Sequence, residues 1–268
     1  MIARSDALTN QLRTHTHNAV MRPISLCSLC RTQVAPMYQY CFACKELMSH
    51  QGAVPDNAGF GIYAVREEQT GRMMRLYKSD RANSVHIQSW DVVSALIAEL
   101  LQHLHCLAIM NDCPVDSLTY VPSLSHLSHR AHPLGRILGK IVPASEQFSR
   151  LERLHLVPGA EPRTPHKTLR QGVVTVKEGK GAWGHVLIID DTWTAGKSIG
   201  NATLALRSAG ASMVSSLVVA RWLDPKFSPD LIKALRGEDS FDSRTCPWTF
   251  SGQCPSPGPN LTDRKSVV

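Results

Sequence analysis

Two carboxylates stand side by side in this chain, Asp190-Asp191. Four apolar residues precede them, Val186-Leu187-Ile188-Ile189, and the loop Thr192-Trp193-Thr194-Ala195-Gly196-Lys197-Ser198 follows. Four apolar residues in a row predict a strand buried on both faces, as in the middle of a parallel sheet. The strand is expected to end at the acids, with a helix opening near Ser198. In open α/β sheets ligands sit outside the carboxyl ends of the strands, which is where both acids would lie. The loop has the parts of a phosphate cradle. Thr194 and Ser198 carry hydroxyl donors, Gly196 lets the backbone come close, and a helix N-terminus presents free N–H groups at a positive dipole end.

Two acids beside a phosphate would repel it unless they hold other partners, such as sugar hydroxyls or a magnesium ion. A ribose 5-phosphate with a leaving group at C1 meets that description. A strand end with an acidic N-cap would explain one of the two acids, but not both together with the loop. The Gly196-Lys197-Ser198 triplet also suggests a nucleotide P-loop. That motif requires a glycine five residues before Gly196, and Asp191 is there instead, so this cradle is excluded.

A second set of reactive residues lies near the start. Cys27-Ser28-Leu29-Cys30 and Cys41-Phe42-Ala43-Cys44 are two Cys-x-x-Cys knuckles separated by ten residues. A two-residue gap lets both thiolates of a turn face one ion, and two such turns complete a tetrahedral site of four sulfurs. Four sulfurs close the shell, which points to structural rather than catalytic Zn2+. Redox thiols or unligated cysteines are the alternatives. Cys246 and Cys254 are each followed by proline and receive no assignment.

The elements that must position these residues read as follows. Residues 1–22 are polar and aperiodic, a tail; 23–50 form the zinc-ribbon-like module, with Gly52 to Asn57 as linker. Residues 55–225 form the main domain, and 226–268 a helix with a Pro/Gly/Ser-rich end. Gly61 to Arg66 and Arg72 to Lys78 around Glu67 to Gly71 predict a β-hairpin. Ser89 is expected to cap a helix running to His105, with Val92, Val93, Leu96, Leu100 and Leu104 facing the core. Leu118 to Val121 predicts a strand ending at Pro122-Ser123, and Pro133 opens a helix with Leu134, Ile137, Leu138 and Ile141 on one face. Arg130 and His132 could reach an anion or a base. Leu156 to Gly184 is rich in Pro, Gly and basic residues, with a strand near Gly172 to Val176; it reads equally as a lid or as a solvated loop. After the signature come a helix to Ser208, Gly210 as its C-cap and a buried strand from Met213 to Ala220. Strand, helix, strand is a βαβ unit, hence α/β with a parallel sheet.

The 268 residues suffice for one such domain with attachments, and 43% hydrophobic content excludes a disordered chain. A net charge of +7 suits an anionic ligand or nucleic acid, but no block of like charges marks a nucleic-acid tail. The apolar stretch from Val92 to Met110 contains Glu99, Gln102, His103 and His105, which argues against a membrane span. The first 21 residues lack the apolar core of a signal peptide. A cytoplasmic location is expected, where cysteines favour metal over disulfides.

The apolar run, acid pair and Thr/Gly loop resemble the signature of type I phosphoribosyltransferases. The resemblance implies that family's mostly parallel sheet with flanking helices. It gives Asp190 and Asp191 the ribose hydroxyls of phosphoribosyl pyrophosphate as the catalytic pair, with Mg2+ on the pyrophosphate. It gives Thr192, Thr194, Ala195, Gly196, Lys197 and Ser198 the 5-phosphate, and Pro122, Ser123 and Leu124 the pyrophosphate loop. Trp193, Ala195 and Lys197 depart from the usual loop. With the four-cysteine knuckle and Tyr77-Lys78, the chain is similar to the ComF family of competence-linked proteins over roughly residues 25–222. In place of that family's Arg-Gly-aromatic-Asn-Gln run it has Arg130 to Leu134. The resemblance implies transfer of phosphoribose to an acceptor such as a nucleobase, and links to single-stranded DNA or to DNA-uptake or repair proteins. The alternative is an accessory protein that senses the same ligand, or binds DNA or protein, without turnover.

Overall fold

The structure, a computed structural model, describes residues 15–79, 84–122, 132–159, 168–177, 183–236 and 240–256. Its centre is a six-stranded sheet in the order β1-β2-β8-β7-β3-β4. The strands are β1 (His17–Asn18), β2 (Asn57–Val65), β3 (Ser117–Tyr120), β4 (Glu152–Arg153), β7 (His185–Trp193) and β8 (Met213–Leu223). All neighbours run parallel except β1 against β2. The protein is therefore mixed α/β with a mostly parallel sheet and a four-cysteine cluster near its N-terminus. Burial explains the composition of the central strands. Val186, Leu187, Ile188 and Ile189 are fully buried because helices cover both faces, leaving no solvent side to call for polar residues.

One face is packed by α2 (Gln69–Leu76), α3 (Ser84–Leu101), α4 (Leu104–Asn111) and α5 (Pro133–Ile141), through Met74, Leu96, Leu107 and Ile137 against Leu187, Ile189 and Leu217. The other face holds α1 (Phe42–Met48), α7 (Lys197–Ser208) and α8 (Pro229–Leu235), through Leu47, Ile199, Leu206 and Leu231 against Val186, Ile188 and Val218. The short α6 (Glu146–Ser149) leads into β4. A separate two-stranded antiparallel ribbon pairs β5 (Leu156–Pro158) with β6 (Val174–Val176). The stretch Ser84–Asn111 is long and apolar enough to cross a membrane, yet it bends at Gln102-His103 and buries Val93, Leu96, Ile97 and Leu100 in the core.

Several expectations are corrected. The second arm of the expected hairpin is helix α2. Gly71, Met74 and Tyr77 are buried while Arg72, Arg75 and Lys78 are exposed, a three-residue period that only a helix presents. A Cβ on Gly71 would lie 2.2 Å from the Val65 carbonyl oxygen, so the absent side chain lets α2 fold back onto the end of β2. The helix expected from Ser89 starts earlier, at Ser84, and stops at Leu101. Ser89 sits inside it and donates its hydroxyl to the Val85 carbonyl at 2.8 Å. Strand β7 does not end at the acids but continues through Trp193. Part of the expected tail is ordered into the sheet, His17 pairing with Tyr63 and Asn18 with Ile62. Ser123, Leu124, Arg130, Arg163, His166, Lys167, Lys180 and Gly237 lie outside the described residues.

Side-chain alternation slips at one level of the sheet. In β2, Phe60 faces one core and Ile62 the other, although both are even-numbered, and in β7 Ile189 and Trp193 divide in the same way. The β7–β8 ladder pairs Asp190 with Val218 and resumes with Thr192 and Ala220, so the slip falls at Asp191.

Candidate functional site

Asp191 is 4% exposed and its partners come from α2. The Tyr77 hydroxyl donates a short hydrogen bond to its Oδ2, and Lys78 Nζ lies 2.9 Å from Oδ1 and 2.8 Å from Oδ2. The helical period of α2 explains the pairing. Tyr77 is the last residue of its buried stripe, and Lys78 follows just past the helix end, where its ammonium reaches the acid from the surface. Burial raises the Tyr77 pKa far above the usual phenol range, and the negative charge of Asp191 raises it further, so the hydroxyl stays a donor. Asp190, 8% exposed, accepts a hydrogen bond from the Asp191 N–H at 2.9 Å. Desolvation, then the neighbouring Asp191 charge, push its pKa well above the carboxylate range, and Lys78 pulls the other way.

His132 completes this side. Its Nδ1 accepts from the Leu134 N–H at 3.3 Å, capping α5 beside Pro133, and its ring stacks on Tyr120 at 5.5 Å. Burial lowers its pKa, which keeps the imidazole neutral and able to accept. Pro122, half-buried, follows β3 on the same edge. Tyr77, Lys78 and Tyr120 are not among the site residues named from the sequence, where Tyr77-Lys78 enters only through the family resemblance. The three-residue period across Arg72 to Lys78 was the available signal for the first two.

The loop after β7 has the geometry of an anion cradle. Gly196 adopts φ +80° as the N-cap of α7, and no side chain caps the helix. The first backbone bond at this end runs from the Gly200 N–H to the Gly196 carbonyl at 2.8 Å; the amides before it are the unpaired donors of a helix N-terminus. Thr194 is exposed, and Thr192, Ala195, Lys197 and Ser198 are half-buried. A Cβ on Gly196 would fall 2.4 Å from Trp193 Cζ2, so glycine is required both by its φ and by the indole beneath it. Trp193 is buried edge-on against Phe60, and this packing fixes the floor of the loop. Lys197 is spoken for: its Nζ pairs with Glu46 Oε1 at 2.6 Å. Asn201 ties the segment before β6 to α7, accepting from the Arg170 N–H and donating to the Thr168 carbonyl.

The sulfurs of Cys27, Cys30, Cys41 and Cys44 lie within 4.8 Å of one another. Cys30 and Cys41 are 3.7 Å apart, close to the ~3.8 Å edge of a tetrahedron around bonds of about 2.3 Å. The donor set and its compactness fit zinc. Arg221, buried in β8, donates through Nη2 to the Cys30 sulfur at 3.3 Å and through Nε to the Cys30 carbonyl at 2.8 Å. Its Nη1 donates to the Trp193 carbonyl at 3.0 Å. One guanidinium thus joins the cysteine cluster to the strand carrying the acid pair.

No protein-family model matches the sequence, and no curated protein matches it. Among solved structures, the adenine phosphoribosyltransferase of Leishmania donovani is similar over 65% of this chain and 86% of its own, at 13% identity and a TM-score of 0.34. A superposition this loose says nothing about the chemistry of the site.

Proposed function

We propose that this chain binds phosphoribosyl pyrophosphate with Mg2+ and transfers phosphoribose to an acceptor such as a nucleobase, in the cytoplasm, as a relative of the ComF type. One observation carries the reading: an acid pair near the end of a central parallel strand, followed within five residues of Asp191 by a left-handed glycine opening a helix. The ribose hydroxyls would be held by Asp190 and Asp191, and the 5-phosphate by Thr192, Thr194, Ala195, Gly196 and Ser198. Lys197 would act through its Glu46 pair, setting the helix rather than meeting the phosphate. Pro122, with Ser123 and Leu124, would flank the pyrophosphate.

Mg2+ bound to the pyrophosphate would neutralise the leaving group. Asp191 already holds Tyr77 and Lys78, and Asp190 holds a backbone N–H, so the ion fits as cargo of the ligand rather than as a resident of the two carboxylates. The acceptor nitrogen would form its bond to C1 as the C1–O bond breaks, with the electron pair leaving on pyrophosphate. Asp191, the charged member of the pair, would place negative potential beside the cationic ribosyl centre, with Asp190 holding a ribose hydroxyl.

Isothermal titration with phosphoribosyl pyrophosphate and Mg2+ tests this. Wild type is expected to bind, and Asp190→Asn with Asp191→Asn to lose binding; equal affinity in both overturns the reading. The engagement of Asp191 by Tyr77 and Lys78 favours a second reading, a sensor that exchanges those partners for the ligand without turnover. Pyrophosphate release across a panel of bases separates the two. A tie to single-stranded DNA would appear as binding that weakens steeply with salt.

A further inference from the structure

Outside the acid-pair site, His103, Cys106, Cys246 and Cys254 bring their ligand atoms within 4.8 Å of one another. We propose that these four residues form a second structural zinc site, of the Cys3His type, that clamps the C-terminal segment 240–256 onto the α3–α4 corner. The site is built from both sides. His103 is the N-cap of α4 and Cys106 lies in its first turn, with the Cys106 N–H bonded to the His103 carbonyl at 3.0 Å. This spacing of three residues sets imidazole and thiol on one side of the corner. Cys246 and Cys254 are brought together by a turn in which the Cys246 N–H bonds the Gly252 carbonyl at 2.7 Å and Gly252 takes φ +76°.

The histidine is oriented as a metal-binding imidazole requires. Its Nε2 donates to the Ser243 carbonyl at 2.9 Å, which leaves the Nδ1 lone pair toward the cluster. Cys254 Sγ lies 3.4 Å from that Nδ1, near the ~3.5 Å edge between a nitrogen and a sulfur on one tetrahedral zinc. The His103 carbonyl accepts from Trp248 Nε1 at 2.9 Å, so the C-terminal segment grips both ends of His103. His103, Cys106 and Cys246 are buried, and Cys254 closes the site from solvent. A disulfide among these residues would use two of three thiols and leave an odd sulfur and an idle imidazole. Zinc uses all four. His105 Nε2 lies 3.5 Å from Cys106 Sγ and its ring stacks on His103 at 6.5 Å, but His105 is exposed and stands outside the group of four, with Nδ1 on the Gln102 carbonyl.

The test is the zinc content of the full chain, purified with zinc and a thiol reductant, by elemental mass spectrometry after mild chelator washing. Two zinc ions per chain are expected for wild type and for His105→Ala, and one for Cys254→Ser and His103→Ala. Cys254 is exposed, so its serine variant vacates no core position, and the wild-type stoichiometry needs no variant. With Co2+ in place of zinc, the thiolate-to-metal absorption should fall in Cys254→Ser. One zinc in wild type, two in Cys254→Ser, or a disulfide mapped among Cys106, Cys246 and Cys254 in freshly purified chain would each overturn the proposal.

Discussion

Cys27, Cys30, Cys41 and Cys44 come from one short stretch, whereas His103, Cys106, Cys246 and Cys254 are gathered from two distant stretches of the chain. The first cluster is wired to the acid-pair strand through Arg221, and to the loop helix through the Glu46–Lys197 pair. Among the described residues no hydrogen bond or ion pair ties the second to either; it joins α4 to the C-terminal segment through His103 and Trp248. The difference teaches that similar ligand chemistry can serve two ends. One cluster braces the acid-pair strand and the helix after its loop, and the other holds down a segment with no helix or strand of its own.

The largest effect should come from breaking the first cluster. Cys30→Ser is expected to lower stability by about 4 kcal/mol or more through metal loss and to weaken ligand binding with it, read by urea unfolding and calorimetry. Cys254→Ser should instead leave ligand affinity intact while amides in 240–256 exchange faster with deuterium. If it weakens binding as much as Cys30→Ser, the contrast between the clusters fails.

Arg221→Met sharpens the same contrast without replacing a ligand. Arg221 donates to the carbonyls of Cys30, Trp193 and Trp222, and these would be left unpaired in a buried setting. A loss of about 3 kcal/mol in urea unfolding is expected. Zinc content should stay unchanged while ligand affinity falls.

Asp190→Asn runs the other way. The folded-state pKa of Asp190 is raised, so its contribution to stability is full below the unfolded carboxylate pKa and is lost as pH rises through the folded value. At neutral pH and above, the amide should therefore stabilise the ligand-free chain by about 1 kcal/mol while abolishing binding, with a gain that grows from pH 5 to pH 8. A gain that shrinks with rising pH would refute the raised pKa.

His132 should show a smaller effect of opposite sign. Its pKa is lowered by burial, so its contribution is full above the unfolded imidazole value, about 6.5, and is lost as pH falls toward the folded value. The unfolding free energy should drop by under about 1 kcal/mol between pH 7 and pH 5, and His132→Asn, a cap that does not titrate, should remove most of that slope. Smallest of all, Lys197→Met breaks a half-exposed ion pair and should cost about 0.5 kcal/mol.

Much of this was legible along the chain because it is local. The two Cys-x-x-Cys turns, the apolar run of β7, Pro133 opening α5 and Gly210 past α7 each depend on a few neighbouring residues and appear where their spacing put them. The hairpin assigned to Gly61 to Lys78 failed because short apolar runs carry both periods, and only the burial of Gly71, Met74 and Tyr77 separates them. The charge of Lys197 depends on side-chain direction, which spacing does not give, and in the ligand-free chain that side chain pairs with Glu46.

The amino-acid sequence alone determined the acid pair, its strand, the glycine that turns the chain after it, and four cysteines able to share one ion. Spacing within a turn or a strand is set by bond geometry, and a linear reading captures it. Tertiary structure alone decided that Asp191 is met by Tyr77 and Lys78 from α2, that Arg221 joins the cysteines to β7, and that His103 and Cys106 meet Cys246 and Cys254. Those meetings depend on how two faces of a sheet are packed by distant helices, and no local periodicity encodes which distant side chains that packing brings within bonding distance.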